Sequence, residues 1–172
     1  MALHVHTDGS GRAESGVAAS DVAFFGRDRE VALIEVAIDR AKAGSGGFLI
    51  LDGPPGAGRS KLLAFAAARG VGSEMRVLRA TGHESERGLA FGGALQLFEK
   101  ELERAEPAER ASLLSGAAAL ASPLLSAGPQ EAPGDGRAPS IVHGLYRLSC
   151  HLAQRSPLSQ VAGQSEIGRA HV

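Results

Sequence analysis

Hydrophobic residues recur along the chain with two periods, one typical of amphipathic helices and one of buried strands. Apolar residues three or four positions apart predict a helix that begins near Arg27 and ends at Gly44. This stripe consists of Val31, Ile34, Ile38 and Ala41. The continuous apolar run from Phe48 to Leu51 then predicts a short strand buried in a parallel sheet. A second helix follows from Ser60 and is predicted to stop at Gly70.

The alternation of strands and helices continues into the second half of the chain. Residues Met75 to Ala80 predict another strand, and Thr81, Gly82 and His83 form its exit. Two amphipathic helices follow, one over residues 88–103 and one opened by Pro107. Their apolar stripes are Phe91, Leu95, Phe98 and Leu102 on the first helix, and Leu113, Leu114, Ala117, Leu120 and Ala121 on the second. A Pro/Gly-rich surface loop over residues 126–139 leads to a last helix, which ends near Arg155. Its apolar stripe is Ile141, Leu145, Leu148 and Leu152.

The hydrophobic pattern fails near both ends of the chain. Residues 1–20 show no sustained period and are rich in Gly, Ser and Ala, so we predict a disordered tail there. Pro157 and Leu158 resemble the approach to a third strand. The residues that follow, 159–164, are mostly small or polar, and a buried parallel strand needs an apolar run. We therefore predict that this strand does not develop.

Residues Gly53 to Ser60 read GPPGAGRS, directly between the predicted strand and helix. They keep the glycines and the hydroxyl of the phosphate-loop pattern G-x-x-x-x-G-K-[ST], but Arg59 replaces the lysine. In such loops, backbone N–H groups wrap a polyphosphate at the positive end of a helix, and the hydroxyl of Ser60 would bind Mg²⁺. The predicted nucleotide-binding residues are Gly53, Pro54, Pro55, Gly56, Ala57, Gly58, Arg59, Ser60 and Lys61.

Arg59 limits what can be expected of this loop. Arginine keeps the positive charge of lysine but lacks its compact ammonium group. We therefore predict phosphate binding by this loop and not hydrolysis. Lys61 lies one residue past the hydroxyl and would point along the helix, so it does not replace the missing lysine. An ordinary glycine-rich turn is the alternative reading of the motif. The flanking strand and helix favour the phosphate loop and an α/β class, with a P-loop NTPase-like parallel sheet and flanking helices.

Composition narrows the remaining possibilities. The chain has 172 residues, of which 44% are hydrophobic, enough for one domain with a sizeable core. A net charge of −1 without a Lys/Arg cluster argues against DNA contact by this chain itself. Cys150 is the single cysteine, which excludes an internal disulfide, and no apolar run is long enough to cross a bilayer. We therefore predict a cytoplasmic protein without membrane contact.

Three further segments, together with the loop, carry a family resemblance over residues 24–158. They are FFGRDREVALIEVAIDRA (24–41), LRATGHESERGLAFGGALQLFE (78–99) and IVHGLYRLSCHLAQRSPL (141–158). In this order they resemble the N-terminal AAA-type (STAND-like) ATPase domain of large bacterial LuxR-family transcriptional regulators. The resemblance implies ATP and Mg²⁺ as cofactors, and it implies that Phe25, Gly26 and Arg27 lie on the adenine and ribose side of the nucleotide. It also implies that DNA binding belongs to a C-terminal domain missing from this chain.

In proteins of this kind, the segment like Pro157 and Leu158 continues as an apolar strand that ends in acidic Walker B residues. Those acids are missing here, and Glu84, Glu86 and Glu166 cannot be assigned their role from the sequence. The closing residues EIGRAHV match the translation of a common sequencing adapter. We therefore predict a domain truncated before Walker B, which spans residues 21–158 and is followed by a non-native tail over 159–172.

These observations favour a nucleotide-binding switch, in which ATP binding reorganises downstream sensor and helix-turn-helix modules. Three alternatives stay open: an active ATP hydrolase, a small P-loop kinase, and a non-functional truncated fragment. The first two have no catalytic residue that the sequence can identify. The fragment would expose sheet edges and apolar helix faces, which favours self-association.

Overall fold

The computed structural model describes residues 2–6, 26–82, 90–127 and 137–164. The chain divides into two compact units, Met1–Met75 and Arg76–Val172. Each unit has its own two-stranded sheet, antiparallel in the first and parallel in the second. The fold is therefore α/β with a small parallel sheet flanked by helices, which confirms the predicted class.

The first unit contains β1 (Ala2–His6), α1 (Asp28–Lys42), β2 (Phe48–Asp52) and α2 (Arg59–Gly72). Strand β1 pairs antiparallel with β2, with Ala2 opposite Asp52 and His6 opposite Phe48. The prediction that β2 is buried in a parallel sheet is therefore wrong: among the described residues its partner is the antiparallel β1, and Phe48 and Ile50 are exposed. The prediction of a disordered tail is wrong for residues 2–6, and residues 7–20 lie outside the described ranges. A strand forms there because its N–H and C=O groups find partners on β2, an interaction that composition does not reveal.

Helix α1 confirms the predicted amphipathic stripe. Ile34 and Ile38 are buried and pack with Leu62 and Met75 in the core of the first unit. Asp28 and Glu30 lie in the first turn and Arg40 and Lys42 in the last, an arrangement that complements the helix dipole. The helix ends just before Gly44, whose φ of +81° turns the chain toward β2.

Helix α2 passes through Gly70, where the sequence predicted its end, and continues to Gly72. Gly70 is buried, and its carbonyl accepts hydrogen bonds from the N–H groups of Ser73 (3.1 Å) and Met75 (3.0 Å). The left-handed residue that reverses the chain is Glu74, with a φ of +58°. Gly70 is therefore a buried residue inside the helix, and in sequence such a glycine looks identical to a helix stop.

Within its described residues, the second unit contains two strands, four α-helices and one 3₁₀ helix. In chain order they are β3 (Arg76–Gly82), α3 (Gly92–Arg104), α4 (Pro107–Leu113), the 3₁₀ helix (Gly116–Ala121), α5 (Ser122–Ala127), α6 (Ala138–Ala153) and β4 (Leu158–Gln164). Its core includes predicted stripe residues from α3 and from α6. Among them are Leu95, Phe98, Leu102, Leu145, Leu148 and Leu152.

The predicted helix opened by Pro107 does not continue to Ala121. It stops at Leu113 and gives way to the 3₁₀ helix, which begins at Gly116 with a φ of +57°. Positive φ is incompatible with an α-helix, so the backbone changes direction at this glycine. Ala118 and Ala121 of the 3₁₀ helix are fully buried, which shows that the segment is part of the core.

Strand β4 corrects the prediction that no third strand develops after Leu158. It pairs parallel with β3 over seven residues, from Leu158 opposite Arg76 to Gln164 opposite Gly82. Backbone pairing does not require apolar side chains on both faces, and Leu158 packs against the core. Gln160 is exposed and donates a hydrogen bond to the Ser149 hydroxyl (2.7 Å). The polar residues are thus accommodated because this strand is not buried on both sides.

Candidate functional site

The glycine-rich motif forms a loop over residues 53–58, between the end of β2 and the start of α2. Gly56 and Gly58 have φ angles of +77° and +81°, and the N–H of Ala57 between them donates to the Pro54 carbonyl (3.1 Å). A Cβ atom at either glycine would meet no heavy atom of the described residues within 4 Å. Glycine is therefore needed here for the backbone conformation and not for space.

The first turn of α2 continues directly from this loop. Gly58 is the N-cap residue, Arg59 is the first helical residue and is half-buried, and Ser60 and Lys61 are exposed. Leu62 anchors the turn, since it is buried and its N–H donates to the Gly58 carbonyl (3.1 Å). The structure therefore places the predicted residues 53–61 together at one helix start.

The electrostatics of this helix start differ from those of α1. The first turn of α2, whose residues are all described, contains no acidic side chain, whereas α1 begins with Asp28 and Glu30. Acidic residues usually occupy first turns because they offset the positive end of the helix dipole. No acidic side chain of this turn therefore offsets the positive end of α2, and Arg59 adds a positive charge to it.

Asp52, the last residue of β2, is a loop contact that the sequence analysis did not identify. Its carboxylate Oδ1 accepts a hydrogen bond from the N–H of Gly53 at 2.8 Å, and its side chain is exposed. The first amide of the loop is thus held by the chain's own carboxylate. An acidic residue directly before the first glycine was the available sequence signal.

We expect Asp52→Asn to strengthen phosphate binding at this loop. The amide oxygen of asparagine can still accept the Gly53 hydrogen bond, while the negative charge that repels a phosphate is removed. Exposed charges interact weakly, so the gain should be about two- to fivefold and should shrink at high salt. Isothermal titration with ATP at low and high salt measures it. An unchanged affinity at low salt would show that the carboxylate does not act on the bound anion.

Arg27 links the start of α1 to the loop. Its Nη2 atom donates to the carbonyl of Ala57 at 3.0 Å, and its Nη1 atom donates to Oε1 of Glu30 at 3.0 Å. A backbone hydrogen bond, and then the one from Arg27, hold the pKa of Glu30 below its ordinary value. Arg27 was predicted on the adenine and ribose side with Gly26 and Phe25. Gly26 precedes it with a φ of +68°, and Phe25 lies outside the described residues.

The chemistry of the site depends on acidic side chains that could activate water or hold a metal ion. Residues 158–164 of β4 read LSQVAGQ and contain no acid, and Glu84, Glu86 and Glu166 lie outside the described residues. Within the described ranges, no three His, Cys, Asp or Glu side chains come together to hold a metal ion. In the same ranges, no helix is long and apolar enough to cross a membrane.

A family model described as AAA ATPase domain matches residues 23–159. This range includes Arg27, the glycine-rich loop and α2, and it extends through the second unit to the beginning of β4. No curated protein and no solved structure matches the chain.

Proposed function

Because the chain belongs to the AAA ATPase domain family, we propose that residues 53–61 bind ATP together with Mg²⁺. The observation that carries this proposal is the backbone of the loop, with left-handed Gly56 and Gly58 at the junction of β2 and α2. Left-handed residues at a helix start allow backbone N–H groups to converge on an anion, so a polyphosphate can accept hydrogen bonds there. The acid-free first turn of α2 supports the same ligand class.

The residues at the helix start fit a magnesium nucleotide. Mg²⁺ prefers oxygen ligands and keeps several waters, so the exposed hydroxyl of Ser60 is a suitable single ligand from this turn. The guanidinium of Arg59 would contact phosphate oxygens, with two donors where a lysine has a point charge. The bound cation would offset phosphate charge, and the loop amides would orient the phosphate chain.

We propose nucleotide binding, and not rapid hydrolysis, as the activity of this chain. Hydrolysis by P-loop proteins needs a side chain that orients or activates the attacking water. The described residues of β4 carry no acid that could do this. The absence of a positioned base costs about 10²- to 10⁴-fold in rate. ATP turnover should therefore be slow compared with ATP binding.

The resemblance of residues 24–158 to LuxR-family regulators supports a signalling role for this nucleotide site. In this proposal, the domain is a STAND-type switch of a cytoplasmic transcriptional regulator, whose nucleotide state is transmitted to other modules. The near-neutral charge of this chain argues against DNA contact by the chain itself.

Titration with a fluorescent ATP analogue, with and without Mg²⁺, tests the proposed function. We expect saturable binding that is about tenfold tighter with Mg²⁺, equivalent to about 1.4 kcal/mol. Ser60→Ala should bind the analogue but lose this Mg²⁺ dependence, because the hydroxyl ligand is removed. Ser45→Ala is the matched control, since Ser45 is an exposed serine of the same unit that precedes β2. It should behave as the wild-type protein.

An Arg59→Lys variant distinguishes a loop that binds weakly because of its arginine from a chain that has no binding site. If the wild-type protein fails to saturate and Arg59→Lys binds, the arginine is the defect in an otherwise competent loop. If neither protein binds, the proposed function is wrong. Colorimetric phosphate release, compared with a heat-killed control, then measures hydrolysis, and release at a rate typical of ATPases would contradict the proposal of binding without rapid turnover.

A further inference from the structure

One guanidinium group joins the first turn of α1 to the phosphate-binding loop across 30 residues of sequence. Arg27 donates through Nη2 to the Ala57 carbonyl and through Nη1 to the Glu30 carboxylate, both at 3.0 Å. The Arg27 side chain is 31% exposed and that of Glu30 only 15%. The pair is partly shielded from water, so it is less screened than an ion pair on an open surface.

The position of Ala57 makes this contact important for the loop. Ala57 lies between Gly56 and Gly58, the two residues with the most conformational freedom in this segment. In a planar trans peptide, the carbonyl of one residue and the N–H of the next point in opposite directions. A hydrogen bond that holds the Ala57 carbonyl toward Arg27 therefore directs the Gly58 N–H away from Arg27.

Glu30 orients the guanidinium that makes this contact. It lies three residues after Arg27 in the same helical turn, so little extra entropy is lost when the two side chains pair. The planar guanidinium can donate to the Ala57 carbonyl and to the Glu30 carboxylate at the same time. A lysine ammonium on a flexible stem would hold the two acceptors less rigidly.

We propose that Arg27 is a positioning residue of the loop: it holds the Ala57–Gly58 peptide with the Gly58 N–H toward the bound phosphate, and Glu30 holds Arg27. This inference rests on the proposed function of residues 53–61. It assigns Arg27 to the polyphosphate part of the ligand, whereas the family resemblance implied the adenine and ribose side.

Binding of ATP and of inorganic tripolyphosphate, each with Mg²⁺, tests the role of Arg27. We expect Arg27→Gln to weaken both ligands by the same factor of about ten, the usual effect of losing a charge-assisted hydrogen bond. Arg27→Lys should recover part of this loss, because one donor can still reach the Ala57 carbonyl. A loss confined to ATP would place Arg27 at the base or ribose and overturn the inference.

Glu30→Gln separates positioning from a simple charge effect. Removing a negative charge near an anion site should tighten binding if charge alone matters. The positioning role predicts the opposite: Glu30→Gln weakens both ligands about threefold, because Arg27 loses the acceptor that orients it. Tighter or unchanged binding in this variant would overturn the inference.

The matched control is Arg69→Gln, which removes a 3.1 Å ion pair between Arg69 on α2 and Glu35 on α1. It loosens the same two helices without touching the loop carbonyl and should leave both affinities unchanged. Thermal unfolding of every variant identifies those that are folded. If Arg27→Gln does not fold, Arg27→Lys and Glu30→Gln test the inference. Absence of binding by both the wild-type protein and Arg59→Lys would overturn the proposed function and this inference together, whereas unchanged binding by Arg27→Gln would overturn the inference alone.

Discussion

Gly144→Ala is expected to destabilise the second unit by about 1–3 kcal/mol, the usual cost of overpacking a core. Gly144 is buried in α6, and a Cβ atom there would lie 2.5 Å from the backbone nitrogen of Ala121 and 3.0 Å from the carbonyl carbon of Leu120. These are backbone atoms of the 3₁₀ helix, so no side chain can rotate away. The two helices would have to separate, which would open the core around Leu145 and Leu148.

Gly93→Ala in α3 is the matched control for this prediction. Gly93 is also helical, but a Cβ atom there would meet no heavy atom of the described residues within 4 Å. Gly93 is the second residue of α3, and alanine has a higher helix propensity than glycine, so Gly93→Ala should be neutral or stabilising. Denaturant unfolding followed by circular dichroism measures both variants. If the midpoint of Gly144→Ala equals that of the wild-type protein, α6 and the 3₁₀ helix do not pack as closely as described.

Gly58→Val is expected to lower ATP affinity by about 10- to 100-fold, the equivalent of the 1–3 kcal/mol that a strained backbone conformation costs. The φ angle of +81° at Gly58 is unfavourable for any residue with a Cβ atom and most unfavourable for a β-branched one. Because the loop is exposed, it can relieve this strain in the free protein by changing its conformation. The cost then appears when the nucleotide requires the original geometry.

Gly47→Val provides the comparison for the loop variant. Gly47 lies directly before β2, has no positive φ, and a Cβ there would meet no described heavy atom within 4 Å. It should bind the fluorescent ATP analogue as the wild-type protein does. Both variants should unfold at similar denaturant concentrations, which separates lost binding from lost structure. Equal affinities of Gly58→Val and the wild-type protein would show that the nucleotide does not use this loop conformation.

The parts of the structure that the sequence predicted correctly depend on short-range physics. Helix α1 and helix α6 follow from apolar residues three or four positions apart, which bury one face. The left-handed glycines of the loop follow from the motif, since few other residues adopt positive φ without strain. The strand–loop–helix order around the motif was predicted from the apolar run before it and the helical pattern after it. Each of these features is encoded within a few neighbouring residues.

The candidate site was predicted in its backbone but only partly in its side-chain contacts. Residues 53–61 lie together because they are consecutive, whereas the contact of Arg27 with the Ala57 carbonyl joins residues 30 positions apart. Asp52 was missed because an acid directly before the first glycine, the available signal, is not specific for a loop contact. Its hydrogen bond to Gly53 depends on the exact direction in which β2 enters the loop.

The sequence by itself therefore determined the amphipathic helices α1 and α6, the α/β class and the position of the glycine-rich loop, because local periodicity and glycine torsions specify them. Tertiary structure alone decided that Ala2–His6 pairs with β2 and that the polar segment Leu158–Gln164 pairs with β3. It also decided that Gly144 is tightly packed whereas Gly93 is not. The physical reason is that backbone pairing and close packing depend on which segments meet in space. The types of neighbouring residues do not specify which distant segments meet.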